Sequence, residues 1–282
     1  MTIVVLIDVN DGIVLASDSL TTISYIKENK QQTYIYKNAN KTFNLRKGSP
    51  IGAMTWGSGS IGKSSISTLT KDFRKKITEG DDEWRIDPSN YTIEEVTAKF
   101  KKFIFDNNYQ NAYKDLEKEK RPFLGLIVAG YSSNEELAEE WEIQIVNGEC
   151  NGPNMIRARG TGGISWRGQS EAIHRIFFGL SPAFANILKQ FNLEDDMINQ
   201  ILNKGNQELQ ALFTVDAMPI QDAIDLAKFL IHTTIQYSKF SPGFPTVGGP
   251  IEVATITRHE HFKWVQRKHF YELDLNPSIN KH

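Results

Sequence analysis

The sequence predicts an α+β protein, a four-layer α-β-β-α sandwich of two antiparallel sheets flanked by helices. Three observations lead there. Short apolar, β-branched runs come in hairpin-linked pairs, which makes the paired strands antiparallel. Helical patterns come in groups, Ile61–Ile77 with Thr92–Ile104, then Ser170–Ser238, rather than singly between strands. The order strands, helices, strands, helices, strands lets each helix group cover one sheet.

Thr2–Asp8 is apolar and β-branched, a strand, and Asn10-Asp11-Gly12 turns it back into Ile13–Ser17. The stretch Lys27–Asn40 is polar, with Tyr34, Ile35 and Tyr36 as the residues able to hold it to the body. Lys41–Leu45 and Ile51–Thr55 read as two short strands joined at Lys47-Gly48-Ser49-Pro50. Ile61, Ile66, Leu69, Phe73 and Ile77 repeat at helical spacing. Thr92 opens a second helix, with Glu95 completing a capping box. Phe123–Gly130 is a buried strand and Trp141–Val146 an alternating one. Ser170–Ser238 is helical, broken near Ser181-Pro182 and Met218-Pro219, where Pro219 suits a helix start. Ile251–Thr257 and His261–Lys268 close the chain as strands.

The 282 residues, 40% hydrophobic and 23% charged, fit an ordinary globular protein able to bury a real core. One domain over 1–282 is expected, with a helical insertion at about 180–215 carrying an apolar stripe of Phe191, Leu193, Ile198, Ile201 and Leu209. That stripe reads as extra core or as a subunit contact. A net charge of -2 gives no electrostatic footprint for nucleic acid. The lack of an apolar run of membrane-spanning length and of a leader makes a cytoplasmic protein, without a membrane partner, the expectation. The lone Cys150, beside Asn147-Gly148 in a hairpin turn, reads as structural or incidental rather than as a nucleophile. The six histidines show no metal spacing beyond His259-x-His261, so neither metal nor cofactor is expected.

Residues 57–64, GSGSIGKS, satisfy Gly-x-x-x-x-Gly-Lys-Ser, the phosphate-cradling pattern, which would place Gly57, Lys63 and Ser64 around a nucleotide. The string has a strand before it and a helix after it. It lacks an acid at the end of a later buried strand to hold Mg²⁺, and the parallel βαβ alternation is missing. Nucleotide binding therefore stands as the alternative reading.

A second set of residues accounts for the same loop. Thr2 follows the initiator methionine, whose removal before a small residue would leave threonine as the N-terminus. A terminal threonine carries a nucleophilic hydroxyl and, in its α-amino group, a base with pKa near about 8. A buried lysine beside it lowers both pKa values, an aspartate holds that lysine, and N–H groups at a glycine turn receive an oxyanion. Asp18 ends the second strand, Lys41 opens the third, and Gly57 follows the fourth. Thr2 and Asp18 flank one hairpin and so share a sheet end.

In these residues the chain resembles proteasome β-type subunits and related bacterial peptidases, the N-terminal-nucleophile (Ntn) hydrolases. The likeness lies in Thr2–Val5, Asp11–Ser19, Asn40–Leu45, Ile51–Ser58, Gly125–Tyr131, Gly160–Gly163, Met218–Ala227 and Gly248–Ala254, in that order. It implies the Ntn sandwich and a threonine peptidase acting on peptides or unfolded protein through an acyl-enzyme on Thr2. It also implies a homo-oligomer, in rings or helical stacks, with an ATPase unfoldase as a further partner. By the same likeness Asp18 and Lys41 are the charge pair and Gly57 the oxyanion donor, or Trp56 if the alignment slips by one. Thr161 takes the place of a serine supporting the terminal amine. An inactive scaffold of the same shape is a further alternative. The family's aspartate before the last Gly-Gly has no counterpart, since Phe244-Pro245-Thr246-Val247 precedes Gly248.

Overall fold

The computed structural model describes residues 2–27 and 30–269. Strands β1 (Ile3–Val9) and β2 (Gly12–Ser17) pair antiparallel, with Asp8 opposite Ile13. The turn needs glycine at position 12, where φ is 149° and a Cβ would stand 2.7 Å from the Ile256 carbonyl oxygen. Lys27–Asn40 differs from expectation. It belongs mostly to a separate two-stranded ribbon, β3 (Thr21–Lys27) with β4 (Lys30–Tyr36). Tyr34, Ile35 and Tyr36 remain exposed; Tyr34 and Tyr36, which share one face of the strand, stack on each other.

Next come β5 (Thr42–Asn44) and β6 (Ile51–Gly57), then a small hairpin of β7 (Ser60–Ile61) and β8 (Ser64–Ser65). That hairpin delays the first helix. Instead of starting at Ile61, α1 spans Ile66–Glu79, capped by Ser65, whose side chain accepts from the Thr68 N–H. The Thr92 cap of α2 (Ile93–Lys101) forms as expected, with Oγ1 accepting from Glu95 N at 3.0 Å. The chain continues as a π-helical stretch, Lys102–Tyr109, into α3 (Gln110–Tyr113).

Strands β9 (Leu124–Tyr131), β10 (Ala138–Val146), β11 (Glu149–Met155) and β12 (Gly163–Gly168) follow. Periodicity does not reveal the last two, ECNGPNM and GISWRG, because their edge positions need little apolar surface. Helices α4 (Glu171–Phe178), α5 (Phe184–Lys189), α6 (Asp195–Leu209) and α7 (Ile220–Phe240) lead to β13 (Glu252–Thr257) and β14 (His261–Gln266). No helix among the described residues is long and apolar enough to cross a membrane.

The protein is α+β, with antiparallel sheets and helices. One five-stranded sheet runs β12-β1-β2-β13-β14 and the other β11-β10-β9-β6-β5. Alternation along β1 distributes its side chains. Val4 and Leu6 join Ile13, Leu15, Met54, Ile127 and Ala129 in a core drawn from both sheets. Ile3, Val5 and Ile7 instead pack with Ile224, Leu230 and Ile231 of α7. On the second sheet, Val128 and Ile143 share a core with Phe73 of α1 and Val96 and Phe100 of α2. In the 180–215 segment only Ile198 of the expected stripe is fully buried, while Phe191, Ile201 and Leu209 are exposed. Extra core therefore does not explain that stripe.

Candidate active site

Asp18 directly follows β2 on the β1–β2 hairpin, fully buried. Its Oδ1 accepts from Lys41 Nζ at 2.6 Å and from Ile3 N at 3.0 Å. Its Oδ2 accepts from Leu20 N at 3.1 Å and Gly248 N at 3.0 Å. One carboxylate thus binds the peptide just after Thr2, the loop after β2, the loop before β13 and a lysine from the other sheet. Lys41 Nζ also donates to the Leu20 carbonyl at 2.7 Å. Burial pushes the Lys41 ammonium below the usual lysine range; the Asp18 carboxylate opposes that and the Lys268 cation adds to it.

Thr2 lies at this sheet end, nearly buried, its carbonyl accepting from Gln169 N at 2.7 Å. Gly57 closes β6 on the same end of the second sheet. Thr55 N donates to the Lys41 carbonyl, and Gly57 lies two residues further on. Its φ is 87°, and a Cβ would meet Phe123 at 2.7 Å, so the turn requires glycine. Trp56 is packed in the core that both sheets share.

Thr161 is not brought to this end. β12 pairs with β1 so that Gly163 faces Asp8 and Gly168 faces Ile3. Thr161 precedes Gly163, so it lies beyond the Asp8 end of β1, about 20 Å of strand away from Thr2. It is exposed, in a turn closed by its N–H on Ala158 O. The residues that do meet Thr2 from this strand are Gly168 and Gln169. Gly160–Gly163 precedes β12, and the antiparallel pairing of β12 with β1 brings the other end of that segment, at Gly168, to Thr2.

The Gly57–Ser64 string does not form a phosphate cradle. Gly62-Lys63 is the turn between β7 and β8, and Lys63 is solvent-exposed. The Gly62 N–H is held by Tyr113 Oη at 3.1 Å, Ser58 N by Phe123 O and Ile66 N by Gly59 O. β6 is also antiparallel to both its neighbours. Two of the loop's own backbone donors, Ser58 N and Gly62 N, are therefore already committed. Cys150 is no nucleophile candidate either, since burial pushes its thiol up to about 11.

Two site residues escaped the sequence reading. Lys268, just after β14, has its side chain almost wholly buried and ion-paired to Glu252 at 2.7 Å. It also donates to Ser19 Oγ at 3.1 Å and Ala39 O at 2.8 Å, bracing the segments beside Asp18 and Lys41. Gly248 binds Asp18 through its N–H and accepts from Ser19 N through its carbonyl. The Gly248-Gly249 pair was visible in sequence; Lys268 carried no signal, since a lysine after an amphipathic strand normally faces water.

No family model matches the chain, and no curated protein does. Among solved structures, the chain is similar to Anbu (ancestral beta-subunit) from Yersinia bercovieri, at 13% identity and a TM-score of 0.51, covering 95% of this chain and 88% of that one. It is also similar to an Anbu (Gly-1) mutant from Hyphomicrobium sp. strain MC1, at 13% identity and a TM-score of 0.53, covering 94% and 86%. These findings correct the resemblance drawn from sequence. Membership of the proteasome β-type family is not supported, because nothing matches by sequence and 13% identity is a likeness of fold alone.

Proposed function

We propose that the chain folds as a four-layer Ntn-type sandwich and acts as an N-terminal-threonine amide hydrolase, with Thr2 as nucleophile once Met1 is removed. The observation that carries this reading is the buried Asp18 carboxylate, which holds Lys41 Nζ at 2.6 Å and the Ile3 N–H at 3.0 Å beside Thr2. A lysine so placed costs desolvation energy that packing alone does not require. Beside a hydroxyl it stabilises developing alkoxide charge. The extended likeness to the Anbu structures supports the same reading at the level of fold.

In this mechanism Thr2 Oγ1 attacks a peptide carbonyl and its proton passes to the free α-amine. The carbonyl oxygen gains the charge, facing the Gly57 N–H. The carbon–nitrogen bond breaks, and the leaving amine takes the proton from the α-ammonium. Water then gives a proton to the α-amine and its oxygen bonds to the ester carbon; the bond to Thr2 Oγ1 breaks, Oγ1 takes the proton back from the α-ammonium, and the acid leaves. Lys41 stays protonated on Asp18 and tunes the hydroxyl by its charge. Peptides or unfolded protein are the proposed substrates, and self-association the proposed state.

Intact-mass analysis after treatment with a peptidyl β-lactone tests the reading. The expected protein is lighter by one methionine residue and carries one acyl adduct, which Thr2→Ala abolishes. Retained Met1 with no adduct would instead mark an inactive scaffold.

A further inference from the structure

A cavity of about 890 Å³ lies apart from Thr2, which does not line it. It opens at the edge where β5 and β14 lie, with α1 as its third wall. Its charge is one-sided. Lys47, Lys71, Arg74, Arg267 and Lys268 line it against a single acid, Glu252, which Lys268 already neutralises. A chain of net charge -2 does not gather five cations in one hollow by composition alone.

Arg74 and Arg267 carry the argument. Arg74 is half-buried and its only described polar contact is a long one, Nη1 to the Asn44 carbonyl at 3.4 Å. Arg74 and Arg267 both line the cavity, so two guanidinium groups face a shared space, and burial together with the Arg267 charge weakens the hold of Arg74 on its proton. No carboxylate among the described residues pairs with either. Arg267 lies over the Trp264 ring at 4.8 Å, which fixes the guanidinium plane. Two like charges brought together in a partly dry hollow are unfavourable until an anion joins them. Planar guanidinium forks match phosphate oxygens in pairs. The cavity also holds an orphaned acceptor: Asn44 Oδ1 is buried with no hydrogen-bond partner. It can accept a hydrogen bond from a hydroxyl or amine on a ligand.

We propose that this cavity binds a small phosphate-bearing molecule, its phosphate between Arg74 and Arg267 and a hydroxyl or amine on Asn44. Thr42 joins the two centres. It lines the cavity, bonds Ser17 Oγ at 3.0 Å, and directly follows Lys41. The proposal stands independently of the hydrolase reading, since no step at Thr2 enters it.

The test is calorimetric titration of the full chain with inorganic pyrophosphate and with ribose 5-phosphate at low salt, read in parallel by Trp264 fluorescence. Saturable binding is expected, at least tenfold weaker in Arg74→Gln and in Arg267→Gln, and weaker at higher ionic strength through screening. Asn44→Ala should weaken ribose 5-phosphate binding and leave pyrophosphate unchanged. Lys63→Ala, in the hairpin of the Gly-x-x-x-x-Gly-Lys-Ser string, should leave both unchanged. Absence of saturable binding would overturn the proposal, as would affinity that survives Arg74→Gln but falls with Lys63→Ala. Circular dichroism on each variant separates lost binding from lost folding.

Discussion

Asp18 makes four hydrogen bonds, three to backbone N–H groups and one to an ammonium, all without exposure to water. Asp18→Ala removes the acceptor and leaves Lys41 buried without its counter-charge. Removing one partner of such a pair costs about 3–5 kcal/mol, because the remaining charge keeps its desolvation penalty. Urea unfolding should show that loss, and activity should vanish with it. Lys41→Met separates the two effects. It keeps the bulk and leaves Asp18 with its three N–H donors, so stability should fall less while adduct formation at Thr2 stops. At Gly57 the argument is steric. Gly57→Ala places a methyl within 2.7 Å of Phe123 at φ 87°, so the turn shifts and the rate should fall even where the fold survives. That Thr2, Asp18 and Lys41 share a sheet end was legible, because hairpin pairing fixes which residues lie there. The place of Thr161 depends on β12, a strand that periodicity does not reveal.

At the scale of elements, legibility followed apolar pattern. β1, β2, β9, α2 and α7 bury continuous or periodic apolar faces and were visible in sequence. β11 buries little and β12 sets only Ile164 and Trp166 against the core, so hydrophobic patterning had little to report there. Caps are the local exception, as at α2. Thr92→Ala should cost about 1 kcal/mol, measured as a lower urea midpoint with unchanged slope. α6 exposes Met197, Ile201 and Leu209, and nearby Phe191, Leu212 and Val215 are also exposed. Such a face is costly in water. Self-association across α5 and α6 is the proposed remedy. Sedimentation velocity should find an oligomer that Phe191→Asp with Leu212→Asp dissociates, without loss of helical signal.

At the scale of the whole molecule, the two ends of β1 respond to pH in opposite senses. The Thr2 end would need a neutral α-amine, whose ordinary pKa is about 8, so the rate should rise as pH increases toward that value. The Asp8 end holds buried acids. Burial pushes Glu140 up to about 7, against the Arg157 and Arg167 cations and with the help of Asp8. Arg157 Nε holds Glu140 Oε2 at 3.0 Å, while Oε1 has no hydrogen-bond partner. Burial likewise raises Asp8 to about 6, opposed by Arg157 and reinforced by Asp216. Both acids therefore keep protons in the folded chain that the unfolded chain releases near pH 4. Where the folded state binds more protons, stability falls as pH rises. Their contribution is fully present below about pH 4 and is lost as pH climbs through about 6 and 7. The melting temperature should therefore drop between pH 5 and pH 8, over the interval in which the rate increases. Glu140→Gln keeps the shape and stays neutral at every pH, so about half of that drop should disappear, the Asp8 share remaining, while the pH dependence of the rate stays in place. A rate profile that moved with Glu140→Gln would mean that the two ends are coupled through β1, and the separation argued from its register would fail.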